Sequence, residues 1–322
     1  MFALTIGLSL ALGTAPGTAA RARHAEHMIA TDLPAGFLPE GVEWDALHHR
    51  FLVSSIREQR IAAVDPSNGH ARDFAKAPGS VLGFHVEPHA NVVWATWTRF
   101  GHAFVHNPAS GIAEWSLRDG RALGSWTLPG ADPRANLGDL VILDAHTIVA
   151  SDSGTGAIWR FDTRNHRFTS VVPAGKFESP QGLAPGRTAG TLYLADYPTG
   201  LWRIALKDGT ATHLQAPAGA EVRGLDGLYR HGDRLIAVQN GTHTPRILVI
   251  AFDAHDSIAS VRKWRELPGT EPSLGTLADG YFWFVSNGQW NSYDSDLKPN
   301  PGAKLEQPRL RGLPLSELAA PQ

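Results

Sequence analysis

The chain has 322 residues, 43% hydrophobic and 19% charged, so a large buried core is available and the composition argues against disorder. A formal net charge of −2 without a basic run speaks against a nucleic-acid partner, because neutralising phosphates needs clustered Lys and Arg. With no cysteine there is no disulfide, thiolate metal site or cysteine nucleophile.

Residues 1–20 are apolar and end in the small residues Thr18, Ala19 and Ala20, after which Arg21, Ala22, Arg23 and His24 follow abruptly. This pattern reads as a secretory signal peptide removed after Ala20, and it predicts a periplasmic or secreted protein. Nothing later approaches the roughly 18 continuous apolar residues of a membrane helix, so no membrane span is expected. Residues 21–322 read as one domain, with no linker inside it.

From residue 39 onward the chain repeats. Six short turns each lead into a β-rich run: Pro39-Glu40-Gly41-Val42, Leu82-Gly83-Phe84-His85, Leu137-Gly138-Asp139-Leu140, Pro180-Gln181-Gly182-Leu183, Leu225-Asp226-Gly227-Leu228 and Leu274-Gly275-Thr276-Leu277. Second runs rich in branched and aromatic residues follow, such as Arg50–Ser55, Thr191–Asp196 and Tyr281–Asn287. Third runs such as Gly156–Asp162 and Gly200–Leu206 then lead to turn signals such as Lys207-Asp208-Gly209. A period of roughly 40–50 residues built from strands is the signature of propeller blades. The fold class is therefore all-β, a six-bladed β-propeller of four-stranded antiparallel blades. The segment from about Arg23 to Leu33 is expected to supply the outer strand of the last blade and close the ring. The tail from Lys298 either completes that blade or lies on the surface.

Ring symmetry superposes equivalent positions around one axis. The second residues of the opening turns, Glu40, Gly83, Gly138, Gln181, Asp226 and Gly275, are thus expected to line a central channel. The ends of the second strands form another column: Ser55, Trp97, Asp152, Asp196, Asn240 and Asn287. Asp and Asn suit that place because their side chains bond the backbone of the hairpin they open, so this column reads as mostly structural.

The inner column carries the chemistry. Carboxylate and amide oxygens of Glu40, Gln181 and Asp226, converging on one axis, suit a hard divalent cation, with Ca²⁺ the first choice and Mg²⁺, Mn²⁺ or Zn²⁺ behind it. Three glycines opposite would leave room for a ligand. Glu-Gly, Gln-Gly and Asp-Gly are also ordinary turn sequences in which glycine serves a positive φ, and that plainer reading stands beside the first.

Pro39-Glu40-Gly41-Val42-Glu43-Trp44, Ser179-Pro180-Gln181-Gly182-Leu183 with Thr191–Tyr197, and Leu225-Asp226-Gly227-Leu228 together resemble the senescence marker protein (regucalcin)/gluconolactonase/luciferin-regenerating enzyme family. The resemblance implies a six-bladed propeller with a divalent metal in its channel. It implies that Glu40 is a metal ligand and that Asp226 is both ligand and catalytic base. Gln181 falls where the family has asparagine. Gly138-Asp139 replaces a motif that usually begins with asparagine, and Asn136 lies two residues away as a substitute. The implied activity is hydrolysis of a lactone or related ester, with a lactone or sugar acid as small-molecule substrate. In such a reaction the ion polarises a carbonyl and Asp226 activates water, which fits the lack of a Gly-x-Ser-x-Gly nucleophile turn.

His85 and Arg99, with Asn136 and Asp139, are further candidates for binding substrate. His85 follows the blade-two column at a rank where other blades carry aliphatic residues, and a hydrogen-bonded core histidine explains it as well. Arg99 follows the second strand of blade two, where a solvated loop arginine is the alternative. Trp97 and Tyr197 fit either a substrate mouth or packing between blades. Two other function classes stay open: a non-catalytic small-molecule- or protein-binding propeller, and a strictosidine synthase-like propeller that needs no metal.

Overall fold

A computed structural model describes residues 25–99, 108–130 and 132–318. The signal segment expected over residues 1–20 lies outside them. Six four-stranded antiparallel sheets follow one another around the ring. Each begins with an inner strand: β2 (Pro39–Asp45), β6 (Ser80–Glu87), β10 (Leu137–Asp144), β14 (Pro180–Pro185), β18 (Leu225–His231) and β22 (Gly275–Ala278). In the last sheet β22 is followed by β23 (Tyr281–Val285) and β24 (Arg309–Pro314), and β1 (His27–Ala30) pairs with β24 as the outer strand. The N-terminal segment thus closes the ring as expected, and the tail completes blade six.

The core is divided among the blade interfaces. One cluster joins blades four and five through Tyr193, Leu201, Leu228 and Leu248, and another joins blades six and one through Trp283, Leu310, Phe51 and Val53. The other four interfaces are filled in the same way. Radial sheets bury both faces, which is why the second strands read as unbroken apolar runs rather than alternating ones.

The local device that makes the channel is a break in pairing at the start of the inner strands. Pro39 pairs with Ser55, but the next pair is Val42 with Val53. The same slip separates Val81 from Phe84, Leu137 from Leu140, Pro180 from Leu183 and Leu225 from Leu228. In these five blades two residues therefore leave the ladder, as in a bulge, and the first of them reaches one shared pocket in blades one, two, four and five. Proline is tolerated first in β2 and β14 because it has no N–H to give the ladder.

This register corrects two expectations. In blade two the residue equivalent to Glu40 is Leu82, not Gly83, because Val81 occupies the place of Pro39. The second column shifts likewise in blade five, where Gln239 rather than Asn240 pairs with the strand start Leu225. Gly41, Gly182 and Gly227 are not the positive-φ glycines of a tight turn. Glycine serves close approach instead: a Cβ on Gly182 would lie 2.4 Å from the Asp226 carbonyl oxygen in the neighbouring inner strand.

Candidate metal and substrate centre

Glu40, Leu82, Gln181 and Asp226 do meet, lining one pocket of about 390 Å³ with Asn136, Tyr197, Asn240 and Trp290. Blades one, four and five thus bring their opening-turn side chains to one place, as the repeat predicts. Leu82 is apolar at this rank for a packing reason. It joins Leu38, Ile56 and Tyr293 in a small cluster against which Leu297 and Leu305 pack. That cluster seats the long segment between β23 and β24 on the rim of blades one and two.

The second column holds the turns in place, as expected. Asp152 Oδ1 accepts the N–H groups of Asn136, Gly154 and Thr155. Asp196 Oδ1 accepts Ser179 N–H at 2.7 Å, and the Ser179 hydroxyl takes one amide hydrogen of Gln181 at 2.9 Å. With its nitrogen committed, Gln181 turns Oε1 toward Gly138, 3.6 Å from where a Cβ would stand there. None of the three column glycines lines this pocket, and only Gly138 has room for a Cβ, near the pocket residues Gln181 and Ser153. A Cβ on Gly83 would strike Asp139 at 2.4 Å, and one on Gly275 would strike the Trp283 carbonyl at 2.2 Å. The expected open wall of three glycines is therefore not formed at this pocket.

Two residues that sequence reasoning did not assign to the site orient its carboxylates. Asn240 donates from Nδ2 to Asp226 Oδ2 at 2.7 Å and to the Pro272 carbonyl at 3.1 Å, while its Oδ1 accepts the Tyr197 hydroxyl at 2.9 Å. Trp290 donates from Nε1 to Glu40 Oε2 at 2.7 Å. Asn240 reads as a hairpin residue in the sequence because it falls in the column of second-strand ends, whereas the strand ends one place earlier at Gln239. Trp290 comes from a segment with no counterpart in the other blades. The only signal for it is an aromatic residue among Asn, Gly and Gln at the end of the last second strand.

Burial pushes the Glu40 carboxyl up to about 8, and the Asp226 charge adds to the rise. Burial likewise raises Asp226 to about 7, against the pull of the Asn240 hydrogen bond and with help from Asp139. The two acids feel each other and hold at least one proton near neutral pH. Such a pair invites a cation. Asn136 supplies a further sign: Nδ2 donates to Ser153 Oγ at 2.9 Å, while Oδ1 is buried with no hydrogen-bond partner among the described residues. An orphaned acceptor beside two repelling carboxyls is unusual, and a cation would satisfy all three. Among the described residues no three His, Cys, Asp or Glu side chains are grouped to hold a metal. The donor set is two carboxylates with amide oxygens, which suits Ca²⁺ or Mg²⁺ better than Zn²⁺.

The remaining candidates lie apart from this pocket. His85 shares its rank with Glu43, whose place in β2 it matches in β6, and not with the aliphatic row headed by Val42, whose blade-two member is Phe84. His85 Nδ1 meets Glu43 Oε1 at 2.8 Å. Burial opposes charge on the ring, but Glu43 outweighs it and raises the imidazole to about 9. Asp139 is not among the residues lining the pocket. Its Oδ2 accepts Leu183 N–H at 2.9 Å, and burial raises its carboxyl. His85 and Glu43 thus pair three residues beyond Leu82 and Glu40, roughly 10 Å further along the strands, while the charge of Asp139, one residue beyond Gly138, acts on both His85 and Asp226. Arg99 lies over the Trp97 ring, 5.7 Å from its centroid, and is not among the residues lining the pocket.

No protein-family model matches the sequence, and no curated protein matches it. Solved structures do. The chain is similar to a luciferin-regenerating enzyme at 13% identity, with 90% of this chain and 96% of that one covered and a TM-score of 0.62. It is similar to regucalcin from Agrobacterium tumefaciens, a calcium-binding protein, at 12% identity, 86% and 90% coverage and a TM-score of 0.58. It is equally similar to virginiamycin B lyase from Staphylococcus aureus at 14% identity, 90% and 99% coverage and a TM-score of 0.62. The resemblance read from the opening turns holds at the level of fold with the luciferin-regenerating enzyme and regucalcin, and the likeness to the lyase shows that proteins of differing chemistry share much of this architecture. No helix among the described residues is long and apolar enough to cross a membrane.

Proposed function

We propose that the channel pocket is the centre of a divalent-cation-dependent hydrolase acting on a lactone or related ester. One observation carries the reading. Glu40 and Asp226, from blades one and five, share one pocket with Gln181 and with Asn136, whose buried Oδ1 has no partner among the described residues. The residues fit the ion: Glu40, Asp226, Gln181 Oε1 and Asn136 Oδ1 would hold it, with Ca²⁺ the best match to an all-oxygen set. When bound, the cation would polarise the ester carbonyl and stabilise charge developing on its oxygen.

The chain's own residues do the rest. Asn240 fixes Asp226 through its Nδ2, and Tyr197 fixes Asn240 in turn. A carboxylate so oriented is placed to accept a proton from an attacking water. Trp290 holds Glu40 by one oxygen and leaves the other for the ion. Export, read from residues 1–20, belongs to the same proposal. The fold likeness to a calcium-binding regucalcin supports the choice of ion.

The test is turnover of five- and six-membered lactones with and without a calcium chelator. Hydrolysis abolished by chelator and restored by Ca²⁺ is expected. Calcium-tight protein inert toward the panel would instead favour the non-catalytic binding propeller.

A further inference from the structure

Beside the central pocket lies a second and larger cavity of about 730 Å³, and the two share Tyr197, Asn240 and Trp290. Its walls are the loop after β19 (Arg234–Gln239), the loop before β22 and the segment between β23 and β24. Of its lining residues only Pro245 and Gly269 lack a side-chain hydrogen-bonding group. The wall is built rather than loose. Gln289 clasps residue 306 from both sides, donating to its carbonyl at 2.9 Å and accepting its N–H at 2.7 Å. Asn287 does the same between the Gln307 carbonyl and Arg309 N–H, at 3.0 and 2.8 Å. Glu271 Oε1 accepts Asn291 Nδ2 at 3.1 Å and ties the segment to blade six. On this braced frame the exposed side chains of Lys304 and His243 make no hydrogen bond or ion pair with any described residue.

We propose that this groove holds the distal part of an extended, hydroxyl-rich substrate, a sugar chain of two or more rings whose ester or lactone end reaches Glu40 and Asp226. The inference rests on the hydrolytic reading of the centre and adds the shape of its substrate. Size comes first. Pockets for drug-sized ligands run from about 300 to 1,000 Å³. The central pocket sits near the lower bound, room for one reactive ring, and the groove adds nearly twice that. Chemistry comes second. Amides and hydroxyls both donate and accept, as sugar hydroxyls do. An acyl chain would cover the Lys304 and His243 side chains, and the amide hydrogens and lone pairs left over from the bracing, without pairing them, at a cost in affinity. Trp290 lines both cavities, so it stands where the first ring meets the second. Lys304 and His243 are placed to donate to hydroxyls at the far end.

The test compares gluconolactone, one ring, with cellobionolactone, two rings, as substrates. Calorimetric binding of the matching acids, gluconate and cellobionate, runs beside it. The variants are Lys304→Ala/His243→Ala, which removes the distal donors, and Asn291→Trp, which fills the groove. In the wild type the two-ring substrate should show at least a tenfold higher kcat/KM and the two-ring acid a tenfold tighter Kd. In both variants the ratio should fall toward one, with the one-ring rate unchanged, which also shows that they are folded. Length-dependent binding without turnover would uphold the groove and remove the hydrolytic reading. Turnover without length dependence would keep the hydrolytic reading and overturn the groove, as would absence of binding by either acid or a length preference that survives both variants.

Discussion

Replacing Asp226 by asparagine is expected to lower lactone turnover by about 10³-fold while making the calcium-free protein more stable at alkaline pH. The loss of activity follows from geometry. Asparagine can keep the Asn240 contact, donated from Nδ2 at 2.7 Å, but it cannot take a proton from water, and general-base catalysis is worth about 10²–10⁴. The gain in stability follows from the sign of the shift. Burial raises the Asp226 carboxyl to about 7 in the folded chain, whereas an unfolded aspartate titrates near 3.9. An acid whose folded pKa is raised stabilises the fold below the unfolded pKa, and that contribution is lost as pH rises through the folded value. At pH 8 the wild type therefore carries a penalty, while the Asp226→Asn variant does not. Denaturant melts in chelator should show the variant more stable by about 1–2 kcal/mol at pH 8 and no more stable at pH 4. A variant that is inactive and also less stable at pH 8 would mean that Asp226 is structural rather than poised.

Glu40→Gln should weaken calcium binding by about 100-fold or more, since affinity at such sites follows ligand charge and removing even outer partners of a ligand costs 10–100-fold. Trp290 can still donate to the glutamine oxygen, so the loop it anchors should stay in place. The wild type holds a proton on the Glu40–Asp226 pair near neutrality, and binding a cation must expel it. Wild-type affinity should thus rise between pH 6 and 9, and calorimetry in buffers of differing ionisation heat should detect proton release. In Glu40→Gln both the rise and the release should shrink. Equal affinity in the two proteins, or binding independent of pH, would place the ion elsewhere.

The ring was legible because its repeat is written in turn residues and branched strands, which survive without a shared sequence. Closure by His27–Ala30 followed from the same count, since the last blade lacked an outer strand. The exact axis-facing residue was less legible. Leu82-Gly83 and Leu137-Gly138 look alike as dipeptides, yet the pairing Val81–Trp97 puts Leu82 where blade three has Gly138. Only the ladder distinguishes them, because a bulge leaves no mark in composition. Glu40, Gln181 and Asp226 were found by their shared rank. Asn240 and Trp290 were not, because the first fell in a column whose Asp and Asn residues serve hairpins and the second lies in a non-repeating segment. The Glu43–His85 pair could have been found by counting three residues beyond the corrected column in adjacent blades.

The central claim is that oxygens from blades one, three, four and five surround one cation. A crystal structure grown in calcium chloride tests it most directly. One ion should appear in the channel with Glu40, Asp226, Gln181 Oε1 and Asn136 Oδ1 at about 2.3–2.6 Å, water filling the remaining positions. A map in which the Glu40 and Asp226 carboxyls share a proton directly, with no ion between them at millimolar calcium, would contradict it.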